Sequence, residues 1–517
     1  MKPIIFALFF IYNYICGFAQ IFDSTLTPLL DKSTAPFAFG VASGDPHTNS
    51  VILWTKLYTQ EPTTEAVKWE IATDTFLIQP VNSGEVFPEW QSAYTIKIKA
   101  TELKPNTTYY YRFKYKNSYS AIGRTKTAPE NADLLKLAVV SCSNYEAGHF
   151  NAYRLVALQN DIAAVIHLGD YIYESGSLPN PDKPKVRYHI PPHEIVSLRD
   201  YRTRYAQYRL DADLQEAHRL HPFITTWDDH EFANNSYSGG AQNHQSNEGN
   251  WEARKQVAKQ AYFEWLPILP DTGEPQVIRQ LQFGNLADLW MLDTRIEARA
   301  KQLTSPYDAE LKNPTQTILG KSQADWLIDG LVKSTAKWKI LGNQVMFSDF
   351  SAKHISKKYQ RNLDAWDGYP ADRNRIMDSL YAHQIQNIVV LTGDIHSSWA
   401  FDLARQQRNK KTYRKTPDNK IIGAEMVVTS ITSTNADERV GKPLAKFAQS
   451  IIKNRVANPH LRYVNIIDHG YLLLELTPQY ARGSWVYTPT VKSPSAEVDK
   501  TVKWQTHFDN NRLHRVK

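Results

Sequence analysis

Four short segments carry residue types suited to holding multivalent cations, and each follows an apolar run. Val139-Val140 leads into Ser141-Cys142-Ser143, and Ile166-His167-Leu168 leads into Gly169-Asp170-Tyr171-Ile172-Tyr173-Glu174. Thr225-Thr226-Trp227 precedes Asp228-Asp229-His230-Glu231, and Val389-Val390-Leu391 precedes Thr392-Gly393-Asp394-Ile395-His396-Ser397-Ser398-Trp399. Asp170 can bridge two ions through its two carboxylate oxygens. The Cys142 thiolate and Tyr173 phenolate are anionic donors suited to high-valent iron, and His396 adds a neutral nitrogen. A bound cation would drive their ordinary pKa values, about 8.5 for Cys and about 10 for Tyr, downward. Asp229 and Asp394 supply hard oxygens of the kind calcium and magnesium prefer. Asn343, after another apolar run, is a further candidate through its amide oxygen, and Asp228, Asn234 and Asn235 are near enough in sequence to contribute.

Such a cluster suits phosphoryl transfer. A metal-bound water becomes hydroxide near neutral pH and can attack phosphorus in line with the leaving oxygen. The ions and neighbouring cations stabilise charge on the nonbridging oxygens. Arg154 and Arg254 are candidates for a phosphate clamp. Taken singly, each segment has an ordinary explanation. Gly-Asp after a strand makes a turn, Asp228-Asp229-His230-Glu231 makes a helix cap, and a free cysteine is often a small buried hydrophobe. Recurrence at four strand ends favours one convergent cluster, because ligand sites in open α/β sheets collect at the carboxyl ends of strands.

The elements that must position these residues fall into two regions. From 134 to 490, short apolar strands at 135–140, 163–168, 223–227, 286–292, 338–341 and 387–391 are predicted, with helical stretches at 153–158, 251–265 and 321–333. Almost wholly apolar strands alternating with helices imply a layered α/β domain with buried sheets. Residues 33–130 read differently. Val51-Ile52-Leu53-Trp54-Thr55, Val67-Lys68-Trp69-Glu70-Ile71 and Tyr94-Thr95-Ile96-Lys97-Ile98 are short, β-branched and aromatic, and turn formers separate them. That pattern predicts an antiparallel β-sandwich of immunoglobulin or fibronectin type. Leu103 to Arg112 adds a turn feeding an aromatic strand, like the corner in those folds where a Tyr hydroxyl bonds back to the chain. Thr127 to Asp133 forms a polar joint, residues 408–420 an exposed loop, and 491–517 a C-terminal tail. The loops at 175–195 and 351–372 are candidates to close the pocket.

Composition is that of a globular chain: 517 residues, 42% hydrophobic and 22% charged, long enough for several domains. Sixty Lys and Arg against 53 Asp and Glu leave +7, which is compatible with an anionic substrate. The charge is not gathered into the stripe that nucleic-acid binding needs. Residues 1–19 read as a cleavable signal peptide, with Lys2, an apolar stretch and Gly17-Phe18-Ala19 before Gln20. The stretch is shorter than the ~20 residues a bilayer requires, and no later run approaches that length, so no integral membrane association is expected. Export would remove Cys16 and leave Cys142 as the one thiol, ruling out an intramolecular disulfide. Nothing in the sequence speaks to oligomeric state.

Gly169-Asp170, Asp229-His230-Glu231 and Gly393-Asp394-Ile395-His396 resemble the metal-binding blocks of calcineurin-like metallophosphoesterases. The resemblance is closer to the alkaline phosphatase D (PhoD-like) family. It runs from Phe39-Gly40-Val41-Ala42-Ser43-Gly44-Asp45-Pro46 through Ser141-Cys142-Ser143 and the blocks above to Gly470-Tyr471-Leu472-Leu473-Leu474-Glu475. It implies a β-sandwich followed by a metallophosphatase domain, and a secreted phosphoesterase acting on small-molecule phosphate mono- or diesters with one ferric ion and calcium. It also implies that His230 sits near the leaving group, the alternative being that His230 holds Asp229 in place. A purple acid phosphatase-like enzyme shares the Gly-Asp-x-x-Tyr block and a fibronectin-like domain. Its first block, however, has Asp where this chain has Cys142, and its last has His where this chain has Asp394. A non-catalytic surface protein would show eroded ligand segments, and these are intact.

Overall fold

The computed structural model describes residues 24–59, 63–177, 185–270, 275–352, 361–405, 410–417, 420–453 and 458–517. The proposed signal segment and parts of the two candidate closing loops (178–184 and 353–360) lie outside them.

Two large sheets dominate. In the first, three parallel strands, Leu135–Val140, Ala164–His167 and Pro222–Thr225, lie side by side. In the second, Ala287–Met291, Trp338–Asn343, Ile388–Thr392 and Ile421–Val427 are parallel neighbours. Because side chains alternate across a strand, each sheet has two buried faces to cover. Val139, Ile166, Ile224 and Leu472 of the first sheet pack with Leu289, Ile340, Val389 and Met426 of the second, forming the central core. The intervening residues Ala138, Val140, Val165 and Phe223 point the other way. They meet helices that include Asn151–Ala157, Leu198–Arg209, Ala212–Leu220 and Trp251–Trp265. Trp290, Leu341, Val390 and Phe401 cover the outer face of the second sheet, against Gly320–Lys333 and Pro370–Ala382. The result is four layers: helices, sheet, sheet, helices.

Local signals place the helices. Ser197 and Asp200 form a reciprocal capping box at the start of Leu198–Arg209, and the Asn250 side chain accepts from the Ala253 amide to begin Trp251–Trp265. The latter occupies the span the sequence predicts.

The N-terminal region departs from a free-standing sandwich. Val67–Ala72, Asn82–Val86, Thr108–Tyr115, Ser118–Tyr119 and Gly123–Lys126 do form a separate five-stranded sheet. Its partner layer, Val41–Gly44, Val51–Lys56 and Thr95–Ala100, is instead an extension of the first large sheet. Val41–Gly44 pairs in parallel with Pro222–Thr225 in the register Ser43 to Pro222 and Gly44 to Phe223. Val41, Leu53, Ile71, Ile96, Tyr111 and Phe113 fill the space between the layers. Period-two alternation identifies a strand and its buried face but not its neighbour, so this fusion was not readable. The expected corner is present: Tyr109 Oη accepts from the Lys104 amide at 2.8 Å.

The other edge also differs from expectation. Lys500–His507 and Asn510–Val516, placed in the segment read as a tail, form an antiparallel hairpin that finishes the ten-stranded sheet. Within the stretch read as a loop, Lys410–Lys415 is a short helix.

Candidate metal centre

The carboxyl ends of both parallel strand sets meet at one end of the molecule. Gln344 and Thr226 link them, the Gln344 amide donating to Thr226 Oγ1 at 2.8 Å. Ile431 N donates to Ser141 O at 3.0 Å, closing the same rim. At that rim Cys142, Asp170, Asp394 and His396 all adopt left-handed backbone, with φ of 59°, 56°, 60° and 51°. For non-glycine residues this costs about 1 kcal/mol each, and it turns each strand sharply so that its last side chain faces inward. Gly169 permits the close approach: a Cβ there would lie 2.4 Å from the Asp228 amide nitrogen.

The side chains form three overlapping groups whose potential ligand atoms lie within 4.8 Å of one another: Cys142, Asp170 and His396; Asp170, Asp229 and His230; Asp228, Asp229 and Asp394. Asp170 joins the first two groups and Asp229 the last two. Tyr173 belongs to the first, its hydroxyl 2.9 Å from Asp170 Oδ2 and 3.3 Å from His396 Nε2. Ser433 Oγ donates to Tyr173 Oη at 2.6 Å, orienting the phenol.

Burial dominates the electrostatics. It pushes the Cys142 thiol and Tyr173 phenol well above their ordinary values, and nearby Asp170 adds to both shifts. It raises Asp170 to about 6 and Asp394 to about 7, and Asp228 rises strongly as well. Burial would also raise Asp229, but Arg295 and His230 bring it below the usual carboxylate range. His396 falls to about 3 through burial, with Arg439 and His230 adding repulsion, which leaves a neutral imidazole of the kind that binds metals.

The donor set fits cations. Asp170 Oδ1 and Asp228 Oδ2 are buried without any hydrogen-bond partner. Orphaned buried carboxylate oxygens are costly, and a coordinated ion removes that cost. Carboxylates beside a thiol, a phenol and an imidazole are all side chains that can ligate metal ions.

Several supporting residues escaped the sequence reading. Arg295 is fully buried and holds Asp394 at 2.9 Å, both oxygens of Asp364 at 2.9 Å, and Asp228. It follows the strand Ala287–Met291 in Asp293-Thr294-Arg295, so the strand-end rule extended to a fifth strand would have found it. Glu231 accepts from the Asp170, Tyr171 and Asp228 amides at 3.1, 2.6 and 2.8 Å, stapling two ligand loops together. Glu174 pairs with His230 Nδ1 at 2.6 Å and accepts from Asn234 N and Asn243 Nδ2. Burial alone would raise Glu174, but His230 and these donors bring it to about 2. Burial would likewise lower His230, yet Glu174, Asp170 and Asp229 carry it well above its ordinary value.

Other sequence candidates sit elsewhere or serve differently. Asn343 Oδ1 accepts from Trp366 Nε1 at 2.9 Å, and its amide donates to Val345 O and Thr392 Oγ1. These bonds fix the orientation of the Asn343 amide at the end of its strand. Asn234 and Asn235 act through their backbone amides, Asn235 N reaching Asp229 Oδ2 at 2.5 Å. Arg154 is half exposed and turned to Asp213 at 3.7 Å. Arg254 is buried and spends its donors on Tyr201, Asn243 O, Ile195 O, Glu194 and Glu248. Arg254 is thereby committed to local carboxylates and carbonyls, while Arg154 pairs with Asp213 from a half-exposed position.

The chain is similar over most of its length to known proteins. The family model described as PhoD-like phosphatase matches residues 137–485, and that of its N-terminal domain matches residues 25–129. Alkaline phosphatase D of Bacillus subtilis (strain 168) is 38% identical over 510 residues, covering 94% of this chain and 83% of the relative. A solved structure titled "Structure of PhoD" superposes with a TM-score of 0.83 at 36% identity, covering 94% of this chain and 93% of the other.

Proposed function

The chain belongs to the PhoD-like phosphatase family and is a phosphoric ester hydrolase; we propose that it works through one ferric ion and calcium held by the three linked groups. Cys142, Tyr173, Asp170 and His396 would hold the iron. Asp170, Asp229, Asp228 and Asp394 would hold calcium. When bound, the ions supply Lewis acidity toward the phosphoryl oxygens and an activated water.

The chain's own residues do the rest. His230 is fixed through Nδ1 by Glu174, whose charge favours the protonated ring, leaving its other ring nitrogen to deliver a proton to the departing ester oxygen. Its ring lies 4.1 Å from that of Tyr173, so packing restricts the imidazole as well. Arg295 keeps Asp228 and Asp394 in place. The substrate is a small phosphate ester, a monoester or a diester, and the apolar segment before residue 20 supports export. No helix among the described residues is long and apolar enough to cross a membrane. The two N-terminal layers are read as an immunoglobulin-like sandwich sharing one sheet with a metallophosphoesterase core.

The observation that carries this reading is the pair of unpartnered oxygens, Asp170 Oδ1 and Asp228 Oδ2, inside overlapping ligand groups. Metal analysis of the purified protein, coupled to assays on paired mono- and diester substrates, tests it. A fully active preparation free of iron and calcium would overturn it.

A further inference from the structure

We infer that Arg439 is the cation that receives the substrate's phosphate, and that it favours monoesters over diesters. The inference rests on the phosphoesterase reading above and adds a residue to it.

Buried arginines around the centre are already committed. Arg295 is shared among aspartates, and Arg299 binds Asp364 at 2.6 Å and Thr294 O. Arg204 donates to the Tyr173, Ser175, Ile190 and Pro191 carbonyls, and Arg254 is engaged as described. Arg439 differs. It is exposed, and among the described residues it makes no ion pair with a carboxylate. Its Nη2 lies 3.4 Å from His396 Nδ1, beside a residue of the first ligand group.

That contact cannot satisfy the guanidinium. His396 Nδ1 is also 3.2 Å from Thr434 O, an acceptor, so Nδ1 carries the proton and Nε2 is the nitrogen left facing Tyr173 and Asp170. With a proton on Nδ1, Arg439 has no acceptor there. A planar fork of donors thus stands beside the ligand His396 with its charge unspent, the arrangement that suits an anionic oxygen. The backbone keeps it there. Asn435 and Glu438 form a capping box for the short helix Ala436–Val440 that carries Arg439. Asn435 is itself buried, bonding to Ser430 and to Ile467 O.

A monoester at neutral to alkaline pH presents nearly two charges and a diester one. Charge attraction at a single guanidinium scales with that difference.

The test compares wild type, Arg439→Ala and Arg439→Lys as metal-replete enzymes, on p-nitrophenyl phosphate and bis(p-nitrophenyl) phosphate. For Arg439→Ala, KM for the monoester should rise about tenfold and KM for the diester about threefold. Binding of inorganic phosphate, read by calorimetry, should weaken about tenfold, with iron and calcium content and Tm unchanged. Arg439→Lys should recover part of the monoester effect. Unchanged KM and unchanged phosphate affinity would overturn the inference. So would loss of metal in parallel with kcat, because Arg439 would then act through His396. Phosphate calorimetry reads Arg439 even if neither ester is turned over, so its failure and that of the hydrolytic reading remain distinguishable.

Discussion

Glu174 Oε2 lies 2.6 Å from His230 Nδ1, and the pair is locked from behind by the Asn234 and Asn243 amides. The ion pair fixes the orientation of the ring and favours its charged form.

Glu174→Gln should therefore lower kcat by roughly 10- to 100-fold while leaving metal content intact. His230→Ala should cost more, on the order of 10²- to 10⁴-fold. Steady-state kinetics with parallel metal analysis checks both; equal metal loss in the two variants would assign His230 to metal binding instead.

Asp170→Ala removes the carboxylate common to two ligand groups, so turnover should vanish and metal content should fall. Cys142→Ser should remove the thiolate part of the visible charge-transfer absorption and leave the Tyr173 phenolate band, while the fold survives by circular dichroism. A visible spectrum unchanged by Cys142→Ser would remove the thiolate from the iron site.

Arg295→Met leaves buried Asp228 and part-buried Asp394 without this counter-charge, while Asp364 keeps Arg299. Losing one partner of such a network costs about 3–5 kcal/mol, visible in urea unfolding. Arg154→Ala, at a half-exposed pair with Asp213, should change neither KM nor stability by more than about 1 kcal/mol.

Lys56 offers a pH readout remote from the centre. Its ammonium is buried, bonded to Thr95 Oγ1 at 2.9 Å and 4.7 Å from the Trp265 ring. Burial, helped by Arg202 and Lys97 and opposed by Glu264, lowers its pKa to about 7. Between that value and about 10.4 the unfolded chain holds a proton that the native chain has released. This contribution to stability is complete above the unfolded value and is lost as pH falls toward 7. Urea midpoints at pH 7.5 and 9.5 should thus rise more for wild type than for Lys56→Met; parallel lines would refute the assignment.

Much of the centre was legible because ligands of this kind announce themselves at strand ends. Cys142, Asp170, Asp229 and Asp394 each follow an apolar run, and the buried parallel strands read as such from their lack of polar residues. The strand-end position of Arg295 was readable, but its pairing was not, since Asp228, Asp364 and Asp394 lie 67 to 99 residues away. An arginine's sequence neighbourhood does not say which carboxylates will claim it, as the pairing of Arg254 with Glu194 and Glu248 illustrates. The same limit explains the N-terminal strands: their alternation was plain, their neighbour was not.

That neighbour changes what the N-terminal region is. Val41–Gly44 sits directly beside Pro222–Thr225, the strand that ends in Asp228 and Asp229, while Asn510–Val516 closes the far edge of the same sheet. The sheet is therefore assembled from chain segments at opposite ends of the sequence, and its long-range pairing places the protein among slow folders. Deleting the residues before 130 would not release a trimmed enzyme. It would uncover the edge of a catalytic strand and leave a bare template for aggregation.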